Sequence, residues 1–230
     1  MTLNPMDVVL PIFGVDPDGN IKQFLGTGSF IGSPPVLLTA EHVIRDWPHQ
    51  LAVSHMNKLN TIFLATVICK DAQHDLALLK IDGYCPLTVL SIDANLAHQN
   101  QMLVTFEYGT TRSAGNKIEL SPATRMGNIT RILNLTDQFN KAGEDILELS
   151  FPALRGASGA PVVSNDDNFN LQGVIIANVN YHLLPAQIES ILDEKNEVLE
   201  ETQFMLPQAL AVNVKHVRAL LERHIASTST

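Results

Sequence analysis

Three side chains able to cooperate in nucleophilic acyl transfer occur in this chain, each inside a short and well-marked neighbourhood. His42 lies in Thr39-Ala40-Glu41-His42-Val43, Asp75 in His74-Asp75-Leu76-Ala77-Leu78, and Ser158 in Gly156-Ala157-Ser158-Gly159-Ala160-Pro161. A serine hydroxyl is a weak nucleophile at neutral pH, so a neighbouring base must take its proton as it attacks. An imidazole titrates near neutrality and can return that proton to a leaving amine, while a buried carboxylate fixes its tautomer and stabilises the imidazolium. His42 is therefore the candidate base, Asp75 its orienter and Ser158 the nucleophile. The oxyanion that develops needs fixed donors, and a glycine two residues before the serine lets the backbone turn until two amides point at one spot. A Gly-Ala-Ser-Gly turn alone is more often only a tight turn. The three neighbourhoods together, in the order His, Asp, Ser, carry the reading.

With these flanks the chain resembles the trypsin/chymotrypsin superfamily of serine peptidases, most of all its HtrA-like, disulfide-free branch. Gly26-Thr27-Gly28-Ser29-Phe30-Ile31 resembles the strand before the histidine, and Leu37-Leu38-Thr39-Ala40-Glu41-His42-Val43 the strand and turn that present it. Gly173-Val174-Ile175-Ile176-Ala177-Asn178 matches the strand that pairs with substrate. The resemblance implies an all-β fold, two six-stranded antiparallel β-barrels of chymotrypsin type with a C-terminal α-helix, and a site in the cleft between them. His42 and Asp75 then belong to the first barrel and Ser158 to the second. By the same resemblance the N–H groups of Gly156 and Ser158 form the oxyanion hole, Asp75 is selected over its neighbour, and His74 is left as a surface residue.

The resemblance also bears on substrate and control. Digestive relatives that cut after Lys or Arg carry an acidic residue six positions before the serine, where this chain has Pro152 between Phe151 and Ala153. A pocket without a fixed carboxylate gives nothing to offset desolvation of a cation, so small or medium apolar side chains are expected at the residue before the cut. The polypeptide substrate would add a strand along Ile176, Ala177 and Asn178. Ala157 stands where secreted trypsins hold the aspartate of their zymogen switch, so control is expected from the oxyanion hole, a loop rearrangement or a regulatory partner. HtrA-like relatives usually append a PDZ domain, for which no room is expected after Leu221.

Short segments rich in Val, Ile, Leu and Thr, separated by Gly, Pro, Asn and Asp, supply the elements. Those of the first barrel are Val8 to Phe13, Gln23 to Ile31, Val36 to Thr39, Leu51 to Ser54, Thr61 to Lys70 and Leu76 to Ile81. Those of the second are Met102 to Glu107, Lys117 to Pro122, Met126 to Leu135, Ile146 to Ser150, Ala160 to Ser164 and Leu171 to Asn178. The polar stretch Leu87 to Gln101 is the natural crossover. Apolar positions 214, 217, 220 and 221 predict a helix over 213–225 with Asn213 as N-cap. The expected organisation is one peptidase domain over 1–230, with barrels at about 6–90 and 102–211. Leu183 to Thr202 fits less well. It holds six acidic residues against Lys195, and Ile188, Ile191, Leu192 and Leu199 have helical spacing. It reads either as a solvated loop or as a helical lid or docking face for a regulator.

Composition narrows the classes. A chain of 230 residues can bury a large core without metals or disulfides. A formal charge of −9 argues against a nucleic-acid backbone as partner, since such binding needs clustered Lys and Arg. Cys69 and Cys85 read as thiols in a reduced compartment, buried as small apolar side chains, although a bridge between them stays open. Met1 to Asp7 shows no basic segment followed by an apolar run, so neither signal peptide nor membrane anchor is expected, and a cytoplasmic location is. No His-Glu-x-x-His spacing suggests a metal, and Gly26-Thr27-Gly28 precedes a strand rather than a phosphate-binding helix, so no cofactor is expected. His49, His55, His98, His182, His216 and His224 read as surface or structural residues. An α/β-hydrolase esterase would need Gly-x-Ser-x-Gly and a Ser-first order, whereas Ala160 replaces the last glycine. A catalytically silent protease fold used for binding or regulation is the other class that the residues admit.

Overall fold

The computed structural model describes residues 4–55, 61–92, 97–109, 111–114, 117–135, 143–193 and 196–228. After a single turn α1 (Pro5–Val8), six strands follow: β1 (Val9–Val15), β2 (Ile21–Ile31), β3 (Val36–Ala40), β4 (Gln50–Ser54), β5 (Ile62–Asp71) and β6 (Leu76–Ile81), with the short helix α2 (Glu41–Arg45) after β3. They close into an antiparallel barrel in the order β1-β2-β3-β6-β5-β4. Beyond it lie β7 (Met102–Glu107), β8 (Arg112–Ala114), β9 (Lys117–Glu119), β10 (Ala123–Leu135), β11 (Gly143–Leu149), β12 (Pro161–Ser164), β13 (Leu171–Asp193), β14 (Asn196–Asn213) and the helix α3 (Val214–Thr228). The second barrel closes as β10-β11-β14-β13-β12-β7. Two six-stranded antiparallel barrels and a C-terminal helix are the all-β architecture that the sequence motifs imply.

Strand alternation explains why both faces of the inner strands are apolar. In β3 and β6, Leu37, Ala77 and Leu79 join the first barrel's own core, with Leu10, Ile12, Phe30 and Val53. Their neighbours Leu38, Leu76 and Leu78 turn the other way, into a cluster shared with Val104, Tyr108, Val163, Val174 and Val212 of the second barrel and Val217 and Leu220 of α3. Successive side chains of a strand point to opposite faces, so a strand covered on both sides has to be apolar throughout. The second barrel has its own core of Leu103, Ile129, Leu147, Leu149, Val162 and Ile175. Tyr108 is fully buried between the barrels, and its hydroxyl donates to the Val9 carbonyl at 3.2 Å. The crossover is stitched to both barrels: Leu90 N donates to Phe30 O at 2.9 Å and Leu171 N to Ser91 O at 2.7 Å.

Two sequence expectations change. Lys117 to Pro122 is not a barrel strand; Lys117–Glu119 pairs with Arg112–Ala114 in a separate two-stranded sheet. The sixth strand of the second barrel is β14, reached through a hairpin that runs far beyond the barrel. Leu183–Asp193 and Asn196–Phe204 pair antiparallel, Ile191 opposite Val198 and Glu189 opposite Glu200, with a register shift between Leu183 and Gln187, so the segment is extended rather than a helical lid. Apolar residues at helical spacing do not by themselves make a stable helix, and here pairing of the two arms takes up their backbone hydrogen bonds. α3 forms as expected, with the Asn213 side chain accepting from Lys215 N at 3.0 Å. It packs against β5 and β6 of one barrel and β13 and β14 of the other. Among the described residues no helix is long and apolar enough to cross a membrane.

Candidate active site

β3 delivers the chain directly into α2, whose N-cap residue Ala40 provides no side-chain cap. The orphan amides of that first turn are taken by one residue from the turn between β5 and β6: Glu41 N donates to Asp75 O and His42 N to Asp75 Oδ1, both at 2.9 Å. Asp75 Oδ2 lies 2.7 Å from His42 Nδ1. To reach all three, Asp75 adopts φ 57°, in the left-handed region where Asp is among the tolerated residue types, and it is only 1% exposed. An ionised carboxylate accepts only, so Nδ1 is the protonated nitrogen and Nε2 keeps its lone pair. Asp75 also faces a cation, with Arg45 Nη2 at 3.5 Å from Oδ1. Arg45 is mainly engaged elsewhere, through Nε at 2.6 Å from Glu41 Oε2, and Lys70 stands 3.6 Å from the other oxygen of that buried carboxylate.

Ser158 sits in two successive tight turns, with Ala157 N donating to Leu154 O and Ala160 N to Ala157 O, both at 2.9 Å. Gly156 at φ 98° and Gly159 at φ 83° make this path available, and both positions also lack space. A Cβ on Gly159 would stand 2.1 Å from Thr27 O and 2.2 Å from Thr39 Oγ1; one on Gly156 would meet the Phe24 ring at 2.3 Å. The serine loop is thus pressed against the strands that lead into His42. Thr27 N donates to Ser158 O at 2.9 Å, and a Cβ on Gly26 would touch both Ser158 O and the Val43 methyls at 2.9 Å. Among the described residues the Ser158 hydroxyl and the N–H groups of Gly156 and Ser158 have no hydrogen-bond partner.

The Ser158 loop and β13 enclose the expected substrate edge. Gly159 N donates to Ile175 O at 2.8 Å, next to Ser158; three residues further along, the Asn178 amide clamps the other end. Asn178 Oδ1 accepts from Ala153 N at 2.8 Å and Nδ2 donates to Ala153 O at 2.6 Å. Between the ties lie Ile176 and Ala177 on the strand and Leu154 to Ala157 on the loop. Pro152 is half-buried just outside the clamp.

Several contributors were not legible as site residues. Thr27, wholly buried, is a hub: its hydroxyl donates to Gly156 O at 2.9 Å and accepts from Tyr108 N at 3.3 Å, while its carbonyl accepts from Thr39 Oγ1 at 2.7 Å. No local pattern marks it, because every partner is distant in sequence. Arg45 could have been found, since position i+4 from Glu41 on a helix predicts their pairing. His74 is half-buried and engaged rather than a plain surface neighbour: its N donates to Asp71 Oδ1 at 3.1 Å, its Nδ1 lies 3.0 Å from Asp71 Oδ2, and its ring stacks on His216. Of the residues read as surface or structural, His55 is buried. Cys69 and Cys85 are free thiols, and Cys85 is exposed rather than buried. The regulatory face expected over 183–202 falls on the hairpin arms. Among the described residues no group of three or more His, Cys, Asp or Glu could hold a metal ion.

Known proteins share this architecture. A serine endoprotease from Yersinia pestis superposes with a TM-score of 0.63 at 19% identity, covering 96% of this chain and 64% of its own. A protein of M. tuberculosis H37Rv, solved as an inactive serine-to-alanine mutant, gives 0.62 at 18% identity, covering 96% and 88%. The HtrA-type protease AlgW, solved with a decapeptide, gives 0.64 at 17% identity, covering 96% and 65%. The chain therefore spans a little under two thirds of the first and third of these relatives. No curated protein sequence matches it. Residues 26–174, which carry His42, Asp75, Ser158 and the start of β13, match the family described as trypsin-like peptidase domain, and the chain belongs to that family of serine peptidases.

Proposed function

We propose that the protein is a serine endopeptidase in which His42, Asp75 and Ser158 act as base, orienter and nucleophile. The observation that carries this reading is the doubly bonded pair of His42 with the buried Asp75, which engages Nδ1 and leaves Nε2 as the ring nitrogen available to a nucleophile. As Ser158 Oγ bonds to the substrate carbonyl carbon, its proton passes to His42 Nε2 and the carbonyl π electrons move onto oxygen. The N–H groups of Gly156 and Ser158 are the candidate donors to that oxyanion. Collapse breaks the C–N bond as His42 returns the proton to the leaving amine; water then bonds to the acyl carbon as His42 takes its proton, and the C–Oγ bond breaks as His42 returns that proton to Ser158 Oγ.

The polypeptide would lie along Ile176, Ala177 and Asn178, with its side chain before the cut directed between β13 and the loop from Ala153 to Ser158. Among the described residues of that loop and strand edge, Pro152 to Ser158 and Ile176 to Asn178, none is a carboxylate that could pair with a cation, which supports a small or medium apolar side chain there. Peptide libraries cut mainly after Arg or Lys would refute this preference. The unpartnered Ser158 hydroxyl suits an enzyme whose serine–histidine contact closes on substrate binding or when a partner or loop movement aligns the barrels. We place the regulatory surface on the hairpin of 183–202 and the protein in the cytoplasm, where thiols such as Cys69 and Cys85 stay reduced. That unpartnered hydroxyl also keeps in view a catalytically silent member used for binding.

Purified wild type and Ser158→Ala, incubated with a fluorophosphonate probe and casein, decide the matter. Label and cleavage present in wild type and lost in the variant establish the reading. Label without cleavage identifies a restricted or partner-gated peptidase, and neither label nor cleavage favours the silent alternative.

A further inference from the structure

The turn that carries Asp75 is held from outside the cleft by the C-terminal helix. Asp71, at the end of β5, has its carboxylate 7% exposed and bracketed by His74: backbone N to Oδ1 at 3.1 Å and ring Nδ1 to Oδ2 at 3.0 Å. α3 grips this bracket at two points. The His216 ring stacks on the His74 ring with centroids 3.9 Å apart and planes 20° apart. Arg223 Nη2 reaches Asp71 Oδ2 at 2.5 Å. Residues 216 and 223 are seven apart, two helical turns, so both lie on the face that also buries Leu220. In its first turn, one residue before His216, α3 is also tied to the second barrel by the ion pair of Lys215 with Asp145. One rigid helix therefore connects the Ser158 barrel to the residue immediately before Asp75.

We propose that His216 and Arg223 are positioning residues which act through His74 and Asp71 to hold Asp75 in its left-handed conformation against His42. The inference rests on the catalytic reading of Asp75 and extends it by assigning the C-terminal helix to the machinery. Asp75 has to satisfy Glu41 N, His42 N and His42 Nδ1 from an unfavourable backbone region, a state that persists only when the surroundings over-determine it. The ring stack and the Arg223–Asp71 pair supply that determination. Movement of α3 would reach His42 without any change at Ser158.

The test uses the full chain with His216→Ala, Arg223→Gln, and the conservative variants His216→Phe and Arg223→Lys, each checked for folding by thermal melting. With a peptide that wild type cleaves, His216→Ala and Arg223→Gln are expected to lower kcat about ten-fold with KM unchanged, as for a small misplacement of a catalytic group. His216→Phe, which keeps a flat ring, should recover most of the loss. Independently of turnover, the low-field proton resonance of the His42 Nδ1–H···Asp75 bond should broaden or move upfield in the two disruptive variants. Folded variants with kcat within two-fold of wild type and an unchanged resonance would overturn the proposal. A lower kcat beside an unchanged resonance would do so as well. Should wild type cleave nothing, the peptidase reading fails and the resonance alone decides the positioning claim.

Discussion

Replacing Asp75 by Asn probes the orienting role with almost no change of shape. Asp75 accepts from His42 N at 2.9 Å and from His42 Nδ1 at 2.7 Å at 1% exposure, so the substituted amide has no solvent to relax into. Keeping the backbone bond requires the amide oxygen at the present Oδ1 position, which puts the amide nitrogen, a donor, against Nδ1. The ring then has to offer a lone pair at Nδ1 and carry its proton on Nε2, where it can no longer accept from Ser158. On the established behaviour of such triads, kcat falls about 10⁴-fold, or about 5 kcal/mol at 1.36 kcal/mol per factor of ten. Loss of charge assistance to two buried hydrogen bonds costs about 1–3 kcal/mol of stability in addition. Initial rates on a fluorogenic peptide, the rate of fluorophosphonate labelling and a urea melt separate the two effects. The reasoning is refuted if the folded variant keeps kcat within ten-fold of wild type while Ser158→Ala has none.

Thr27→Val keeps the shape but removes the donor to Gly156 O and the acceptor for Tyr108 N; the two buried orphans should cost about 2–4 kcal/mol, read as a lower urea midpoint, and should slow labelling of Ser158. Asn178→Ala opens the clamp at Ala153, so kcat/KM should rise for peptides with an aromatic residue before the cut relative to those with alanine; an unchanged ratio would show that the clamp does not set pocket length. Burial pushes the Asp71 carboxyl up, but hydrogen bonds from His74 and Arg223 outweigh it and hold it below its ordinary 3.8. A depressed carboxyl contributes stability that is present above its unfolded value and lost as pH falls through the folded one. The urea-midpoint difference between wild type and Asp71→Asn should therefore shrink as pH falls below 3.8, and a difference that grew over that acid range would contradict the assignment.

What the sequence made legible and what it hid divide along physical lines. Leu37 to Ala40 and Leu76 to Ile81 announce strands because apolar residues on both faces of a short β-branched or leucine run have few other uses. The flanks of His42, Asp75 and Ser158 are local, so they are readable in one dimension. β14 was not legible: Glu197, Glu200 and Glu201 depress strand propensity, and Ile188, Ile191, Leu192 and Leu199 satisfy a helical period by chance of spacing. Only pairing with β13 settles the conformation, and pairing is a tertiary fact. Lys117 to Glu119 has strand character but pairs with its nearest neighbour, Arg112–Ala114, because a short loop closes at low entropic cost. Thr27 and His74 stayed hidden for a related reason. A threonine in a strand and a histidine beside the expected aspartate look ordinary until Gly156, Tyr108, Asp71 and His216 are brought to them.

The division of the site between two barrels turns those hidden contacts into the determinants of alignment. His42 and Asp75 are fixed to each other within the first barrel by two hydrogen bonds, with a third from Glu41 N to Asp75 O, while Ser158 belongs to the second. The serine–histidine distance is therefore set by whatever fastens barrel to barrel: the Thr27 hub, the Tyr108–Val9 bond, the shared cluster around Leu38 and Val174, and α3 with its grips on Asp145 and Asp71. The polar fasteners among these are few and directional, whereas each barrel is closed by continuous strand pairing. A relative shift of about 1 Å would leave both barrels intact yet cost on the order of 10²-fold in rate.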